Sequence, residues 1–167
     1  IIAAPTARLG QELVPHLEAL GLDLSSGPDP VQVAEAFHER AETLHQMAES
    51  ARYCFEDFEA IDPTAVKKHL RPAILEPLKA VTEKLGSLAD WSRESIAEAI
   101  EATAGSFEIK MGKLGQPIRV AVTGGGVSPP IDVTVQLVGR ERTLARLNRA
   151  LEIIEARREG QQQSGAS

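Results

Sequence analysis

The 167-residue sequence has one cysteine, Cys54, so no disulfide can form within the chain, and a reducing, cytoplasmic setting is the expectation. It has no apolar run near the roughly 18 residues of a membrane span, and its start lacks the pattern of a signal peptide. No membrane partner is expected. An initiating methionine is missing too, and the opening on Ile1 reads as a fragment or processed product. Cys54 with His16, His38, His45 and His69 offers no ligand pair at i, i+4 or in a short turn, so no metal site is expected. His38 and His45 are seven apart and could share a helix face, where solvated or core-flanking histidines are commoner than ligands. Neither MGKLGQP nor TGGGVSPP has two glycines five apart followed by Lys and Ser or Thr, which a phosphate-cradling loop needs. The dinucleotide fingerprint fails as well: counted from Gly124, its last glycine falls on Pro129. Nothing places a base beside Cys54 or a serine for nucleophilic catalysis, and solvated helix faces account for the carboxylates. The residues alone supply no catalytic site and no cofactor site.

What is present is charge with a gradient. The net charge is −6, which argues against a simple polyanion binder. Residues 1–109 carry 9 basic and 19 acidic side chains, whereas residues 110–167 carry 9 basic and 5 acidic. The positive end hints at contact with phosphate or nucleic acid there. With 43% hydrophobic residues the chain can bury a core as one domain or two small ones.

The first two thirds read as helices. Asp29-Pro30 and Asp62-Pro63 each join an N-cap acceptor to a proline suited to the first helical position. Ala34, Phe37, Ala41, Leu44 and Ala48 follow the spacing of one buried helical stripe, bordered by Arg40 on one side. Ile74, Leu78, Val81 and Leu85 repeat it after Pro72, with Pro77 either kinking the helix or starting a new one. Ser92 caps a helix with Ile96, Ala99, Ile100 and Thr103 inward, and Gly105 stops it. Near the end, Leu144, Leu147, Leu151 and Ile154 form a stripe with Arg142, Arg146 and Arg149 on the opposite face. GQQQSGAS, residues 160–167, has the composition of a disordered tail.

The stretch KMGKLGQPIRVAVTGGGVSPP, leading into IDVTVQLV, is the ambiguous one. Two β-branched runs flank a glycine-rich turn, which locally reads as a β-hairpin. The helical surroundings pull the other way, because strand propensity is easily overridden. Three glycines allow close backbone approach, Ser-Pro-Pro stiffens the chain beyond them, and Arg119 is near, a combination better suited to unstacked RNA bases than to duplex.

Across these motifs the sequence resembles a known family. MGKLGQPIRVAVTGGGVSPPIDVTVQLVGRERTLARLNRAL is similar to the C-terminal end of bacterial glutamate–tRNA ligases, and RAETLHQMAESARYCFEDF and KKHLRPAILEPL are similar to the part upstream. The resemblance runs in order from about Pro5 to Glu159. It implies an all-α fold, two consecutive helical subdomains forming a class I synthetase anticodon-binding region, here residues 1–87 and 88–159. It also implies helices rather than a hairpin over residues 118–138. The family's catalytic fold lies upstream of this region, and its two ATP-binding signatures are absent from this sequence. The implied parent is therefore a ligase using ATP and magnesium, and no cofactor belongs to these residues.

The resemblance further implies which residues meet tRNA(Glu). An arginine eleven positions before the ARY of SARY contacts the last anticodon base in a bacterial relative, and that position is Arg40. The QPIR and SPPI positions resemble those that contact the other anticodon bases, which gives Gln116, Arg119, Ser128, Pro129 and Ile131. Ser128 stands where the relative has another hydroxyl residue, and Pro130 where it has glycine. Physical chemistry suits Arg40: a guanidinium only donates, C offers it O2 and N3, and G presents N1–H and N2–H donors. A satisfied against an unsatisfied base contact is worth about 1–3 kcal/mol, or about 5- to 150-fold. A monomer that binds tRNA(Glu) and not DNA is expected. Its rivals are a helical protein-interaction module without RNA binding and a general RNA-backbone binder.

Overall fold

The computed structural model describes residues 3–38, 42–58, 60–125 and 128–166, with the side chains of 3–7, 26 and 161–166 outside the description. Among the described residues all regular structure is helical. The helices are α1 (Ala3–Ala19), α2 (Pro30–Phe37), α3 (Leu44–Ser50), α4 (Pro63–His69), α5 (Leu75–Gly86), α6 (Arg93–Ser106), α7 (Met111–Thr123), α8 (Ile131–Val138) and α9 (Arg140–Ala166). Residues 1–58 with Leu137–Gly139 form one compact unit, and residues 59–136 with 140–167 form the other. The subdomain boundary expected at 87/88 falls between α5 and α6.

In the first unit α1 packs on α2 and α3. Leu13 and Leu17 of α1, Val33, Ala34 and Phe37 of α2, and Met47 and Ala48 of α3 are buried. Gly10 sits at the α1–α2 crossing, where a Cβ would lie 2.7 Å from the Val31 Cα and 2.8 Å from its nitrogen. Only a bare backbone allows that approach. Asp29 caps α2 as its sequence promised, accepting from the Val31 amide at 2.9 Å. The single stripe expected from Ala34 to Ala48 is instead divided. Helix α2 ends at Phe37, and Thr43 opens α3 by accepting from the Gln46 amide at 3.1 Å. The Gln46 side chain reaches back to accept from the Glu42 amide at 2.9 Å. The Thr43 hydroxyl and the Gln46 side chain thus each accept a backbone amide at the helix start, one inside it and one before it, which defeats the apolar periodicity running through.

In the second unit α5 packs on α6 and α9, and α7 packs on α4, α5, α6 and α9. Leu78, Val81 and Leu85 of α5, Ile96 and Ile100 of α6, Leu114 and Ile118 of α7, and Leu147 and Ile154 of α9 are all fully buried. Asp62 caps α4 through the Thr64 amide at 3.3 Å. Pro77 lies in the first turn of α5, where its missing N–H costs no helical bond, so it belongs to a start and not a kink. Helix α6 passes Gly105 and ends at Ser106. Its stop is Glu108, at φ 55°, with the Ile109 amide donating to the Ala104 carbonyl at 3.0 Å and the Glu108 amide to Gly105 at 3.2 Å. These two bonds are the Schellman pair, built on a residue other than the usual glycine.

The hairpin alternative does not occur. Residues 118–123 continue α7 and 131–138 form α8. Leu114, Ile118, Ala121 and Val122 are wholly buried along α7, so the β-branched run satisfies a helical face as well as a strand face.

Helix α9 ties the unit together through arginines that donate to carbonyls at other helix ends. Arg140 Nη2 donates to the Leu88 carbonyl at 2.6 Å, just past α5, and its guanidinium lies 5.3 Å from the Trp91 ring centre. Arg157 Nη1 donates to Val66 and Leu70 at 2.8 and 2.6 Å, at the carboxy end of α4. Arg146 Nη1 donates to Val122 at 2.6 Å, near the end of α7, and the residue is 6% exposed. Arg146 is therefore buried, against the expectation that it shares a solvated face with Arg142 and Arg149. A cation at the carboxy end of a helix meets the negative end of the dipole and carbonyls that can accept a further bond, as Val66 does beside its bond from the Leu70 amide.

Candidate nucleic-acid interface

The expected site residues of the second unit lie at the junction of α7 and α8. Gln116 and Arg119 are three apart on α7, hence neighbours on its surface, and both are part-exposed. Gly124 closes α7 in the left-handed conformation, φ 80°, and its amide donates to Val120 at 2.9 Å. Ser128 faces Arg119.

The guanidinium of Arg119 is held at two points. Its Nε donates to Ser128 Oγ at 2.8 Å, and its Nη1 donates to Gln116 Oε1 at 2.6 Å. Ser128 Oγ in turn donates to the Pro129 carbonyl at 2.8 Å. The Thr134 hydroxyl, buried on α8, lies 3.0 Å from Ser128 Oγ and 2.9 Å from the Pro129 carbonyl, so its proton can serve either. A second hydroxyl, Thr123 Oγ1, donates to the Arg119 carbonyl at 2.7 Å and accepts from the Gly125 amide at 3.2 Å. Hydroxyls on the two helices thus hold Gly125 on one side and Ser128 and Pro129 on the other. The network fixes the plane of a group that only donates, which suits it to a base-edge or phosphate acceptor.

Gln116, Arg119, Ser128 and Pro129 are brought together. Ser128, however, is 7% exposed and Pro129 is buried, so the expectation of one open face carrying Gln116, Arg119 and Ser128 holds only for the first two. Three short polar contacts surround the Ser128 hydroxyl. Ile131 begins α8 and is part-exposed. Arg40 lies outside the described residues. Thr134 and Thr123 do not stand out in the sequence; a threonine about one turn from an expected contact carries no signal apart from its hydroxyl.

Below Gln116 the surface opens into a cleft of about 690 Å³, within the second unit. The end of α4 and the turn after it supply Lys68, His69 and Arg71, and α7 supplies Lys113 and Gln116. No acidic residue is among its described lining. His69 is held below its ordinary pKa of 6.5, by burial first and then by Lys68 and Arg71. Among the described residues no group of three His, Cys, Asp or Glu could hold a metal ion, and no helix is long and apolar enough to cross a membrane.

Comparison with known proteins agrees with this architecture. The family model described as "Anticodon binding domain" matches residues 8–151. A glutamate tRNA ligase from Elizabethkingia meningosepticum, solved in complex with its amino acid, matches with TM-score 0.80 and 25% identity over 88% of the chain. A glutamate-tRNA synthetase from Elizabethkingia anophelis matches over 88% of the chain with TM-score 0.75, and its 24% identity shows the fold alone. The chain spans 29% and 28% of the lengths of these two proteins. A match running over most of its helices places the chain in the anticodon-binding domain family of aminoacyl-tRNA synthetases.

Proposed function

We propose that this chain is the anticodon-binding region of a cytoplasmic glutamate–tRNA ligase and acts as a monomer on tRNA(Glu). Attachment of glutamate with ATP and magnesium is then the work of a part of the parent outside these 167 residues. One observation carries the reading: a donor-only guanidinium, Arg119, is clamped between Gln116 and Ser128 at the edge of the helical junction. Such a clamp orders the side chain before RNA arrives and lowers the cost of ordering it on binding. Arg119 and Gln116 then face acceptors and donors on unstacked anticodon bases, with the part-exposed Ile131 supplying apolar contact and the buried Pro129 acting through its carbonyl, which holds Ser128. Ser128 acts from beneath, through Arg119. Arg40 reads the last base, favouring C over G.

Filter binding with tRNA(Glu) and tRNA(Gln) tests this. The expected result is preferential binding of tRNA(Glu), weakened by Arg119→Ala in a folded variant. Binding of neither RNA would make the chain a protein-interaction module. Equal binding of both, with a steep salt dependence, would make it a backbone binder. Arg40→Gln should narrow the preference for C over G at the last anticodon position by a factor within about 5 to 150, since glutamine both donates and accepts. Equal loss of affinity for both would remove Arg40 from base reading.

A further inference from the structure

The cleft below Gln116 is not explained by base reading. Its rim carries Lys68, Arg71 and Lys113, all exposed and none in a described ion pair. Lys68 and Arg71 come from the acidic part of the sequence, where acidic side chains outnumber basic ones 19 to 9. The fold nevertheless gathers cations at this edge and leaves carboxylates out of the described lining. Their charges meet no counter-charge in the described lining, and His69, held below its ordinary pKa first by burial and then by Lys68 and Arg71, adds no positive charge of its own near neutral pH. The floor is different: Ile109 and Pro117 make it apolar. A small inorganic anion would match the rim and waste the floor. A nucleotide unit matches both, with phosphate at the cations and ribose or base face on the apolar side chains.

Gln116 decides which nucleotide. It lines the cleft and also accepts from Arg119, so the cleft continues the anticodon-reading junction. We infer that the cleft between the end of α4 and the start of α7 holds a phosphodiester and ribose of the single-stranded anticodon loop, next to the base read by Gln116 and Arg119. This rests on the function proposed above. The cleft supplies affinity and register, while the Arg119 junction supplies selectivity, because phosphate contacts carry no sequence information.

The test uses the whole chain and measures its affinity for tRNA(Glu) and tRNA(Gln) transcripts against salt. The variant is K68Q/R71Q/K113Q, and K79Q/K84Q/R158Q is its charge-matched control on exposed residues away from the cleft. The cleft holds one phosphodiester, so its loss should flatten the log–log salt slope by about 0.7 and weaken binding about 5-fold near 0.1 M salt. The cleft variant's preference for tRNA(Glu) should persist, and the control should change the slope far less. An unchanged slope, or one equal to the control's, overturns the inference, while R119A still judges the anticodon reading separately. A flattened slope with lost preference also overturns it, because the cleft would then be reading a base. Wild-type protein that binds neither RNA removes both readings. All six positions are exposed, and circular dichroism of each variant confirms folding.

Discussion

Replacing Ser128 by alanine separates a residue that touches RNA from one that aims another residue. The change removes an acceptor from Arg119 Nε, 2.8 Å away, in a bond whose donor is charged. Such bonds contribute about 1.5–3 kcal/mol when dry. Arg119 is part-exposed, so water recovers part of this, and Thr134 can turn its proton to the Pro129 carbonyl at 2.9 Å. The expected loss of stability is about 1 kcal/mol, seen as a melting shift of about 2–4 °C. For binding, Arg119 loses the clamp at its Nε and must be ordered there when RNA arrives. That costs about 0.5–1.5 kcal/mol, or about 2- to 12-fold in affinity for tRNA(Glu). A double-mutant cycle then decides the role. If Ser128 works only through Arg119, S128A has no effect on binding in an R119A background. S128T, which keeps the hydroxyl, should bind within about twofold of the parent. Equal losses from S128A in both backgrounds would refute the argument and place the hydroxyl directly on the RNA.

Glu108 holds the left-handed position that ends α6, so E108G should stabilise the chain by about 1 kcal/mol in denaturant titration. G10A gains about 1 kcal/mol of helix propensity, yet its Cβ meets the Val31 backbone at 2.7 Å; overpacking should win, for a net loss of about 1–2 kcal/mol by the same titration. His69 stays neutral in the fold below its ordinary value of 6.5. The unfolded chain therefore binds that proton first, and stability falls as pH drops from 6.5 through the lower folded value, a dependence that H69Q should remove from thermal melts. Asp90 is lowered from 3.8 by hydrogen bonds from Ser92 and Ser95. Its contribution is present above 3.8 and lost as pH falls through the folded value, and D90N should abolish that acid-side loss.

Helix starts are the most legible part of the sequence. Asp29, Asp62 and Ser92 cap where their spacing says, because a side-chain oxygen next to free amides is a local matter. The break between α2 and α3 is equally local yet hidden: Thr-Leu-His-Gln, residues 43–46, has the reciprocal spacing, but the apolar stripe runs across it. Residues 118–122 are not decidable locally. Ile118, Val120 and Val122 alternate like a strand, while Leu114, Ile118 and Ala121 recur like a helix; all five are fully buried, so packing among the neighbouring helices and not the local pattern selects the second. Arg146 is misplaced by a stripe drawn through the leucines. Thr143 and Ala150 are buried too, which moves the centre of the core face toward Arg146. Residues 116 to 131 can be named as a candidate site from resemblance. Which of them is covered cannot, since burial of Ser128 depends on Arg119 and Thr134 folding over it. The cleft is invisible for a related reason: its cations come from residues 68–71 and 113, which no linear pattern joins.

The carbonyls held by α9 also say something about time. Arg140 reaches back 52 residues to Leu88, Arg146 reaches back 24 to Val122, and Arg157 reaches back 91 to Val66. On a ribosome, α4, α5 and α7 emerge well before the helix that supplies those donors. Their carboxy ends and apolar faces must wait, because loop closure precedes any reward from distant contacts. The first unit draws α1, α2 and α3 from residues 3–50, which wait for no distant helix to pack on one another, and receives only Leu137–Gly139 later. Synthesis therefore yields an early group of three helices, α1 to α3, and a late unit. The late unit, which carries the Arg119 junction and the cationic cleft, closes only when α9 arrives. Arginine-to-methionine changes at 140 and 157 should accordingly slow refolding of that unit.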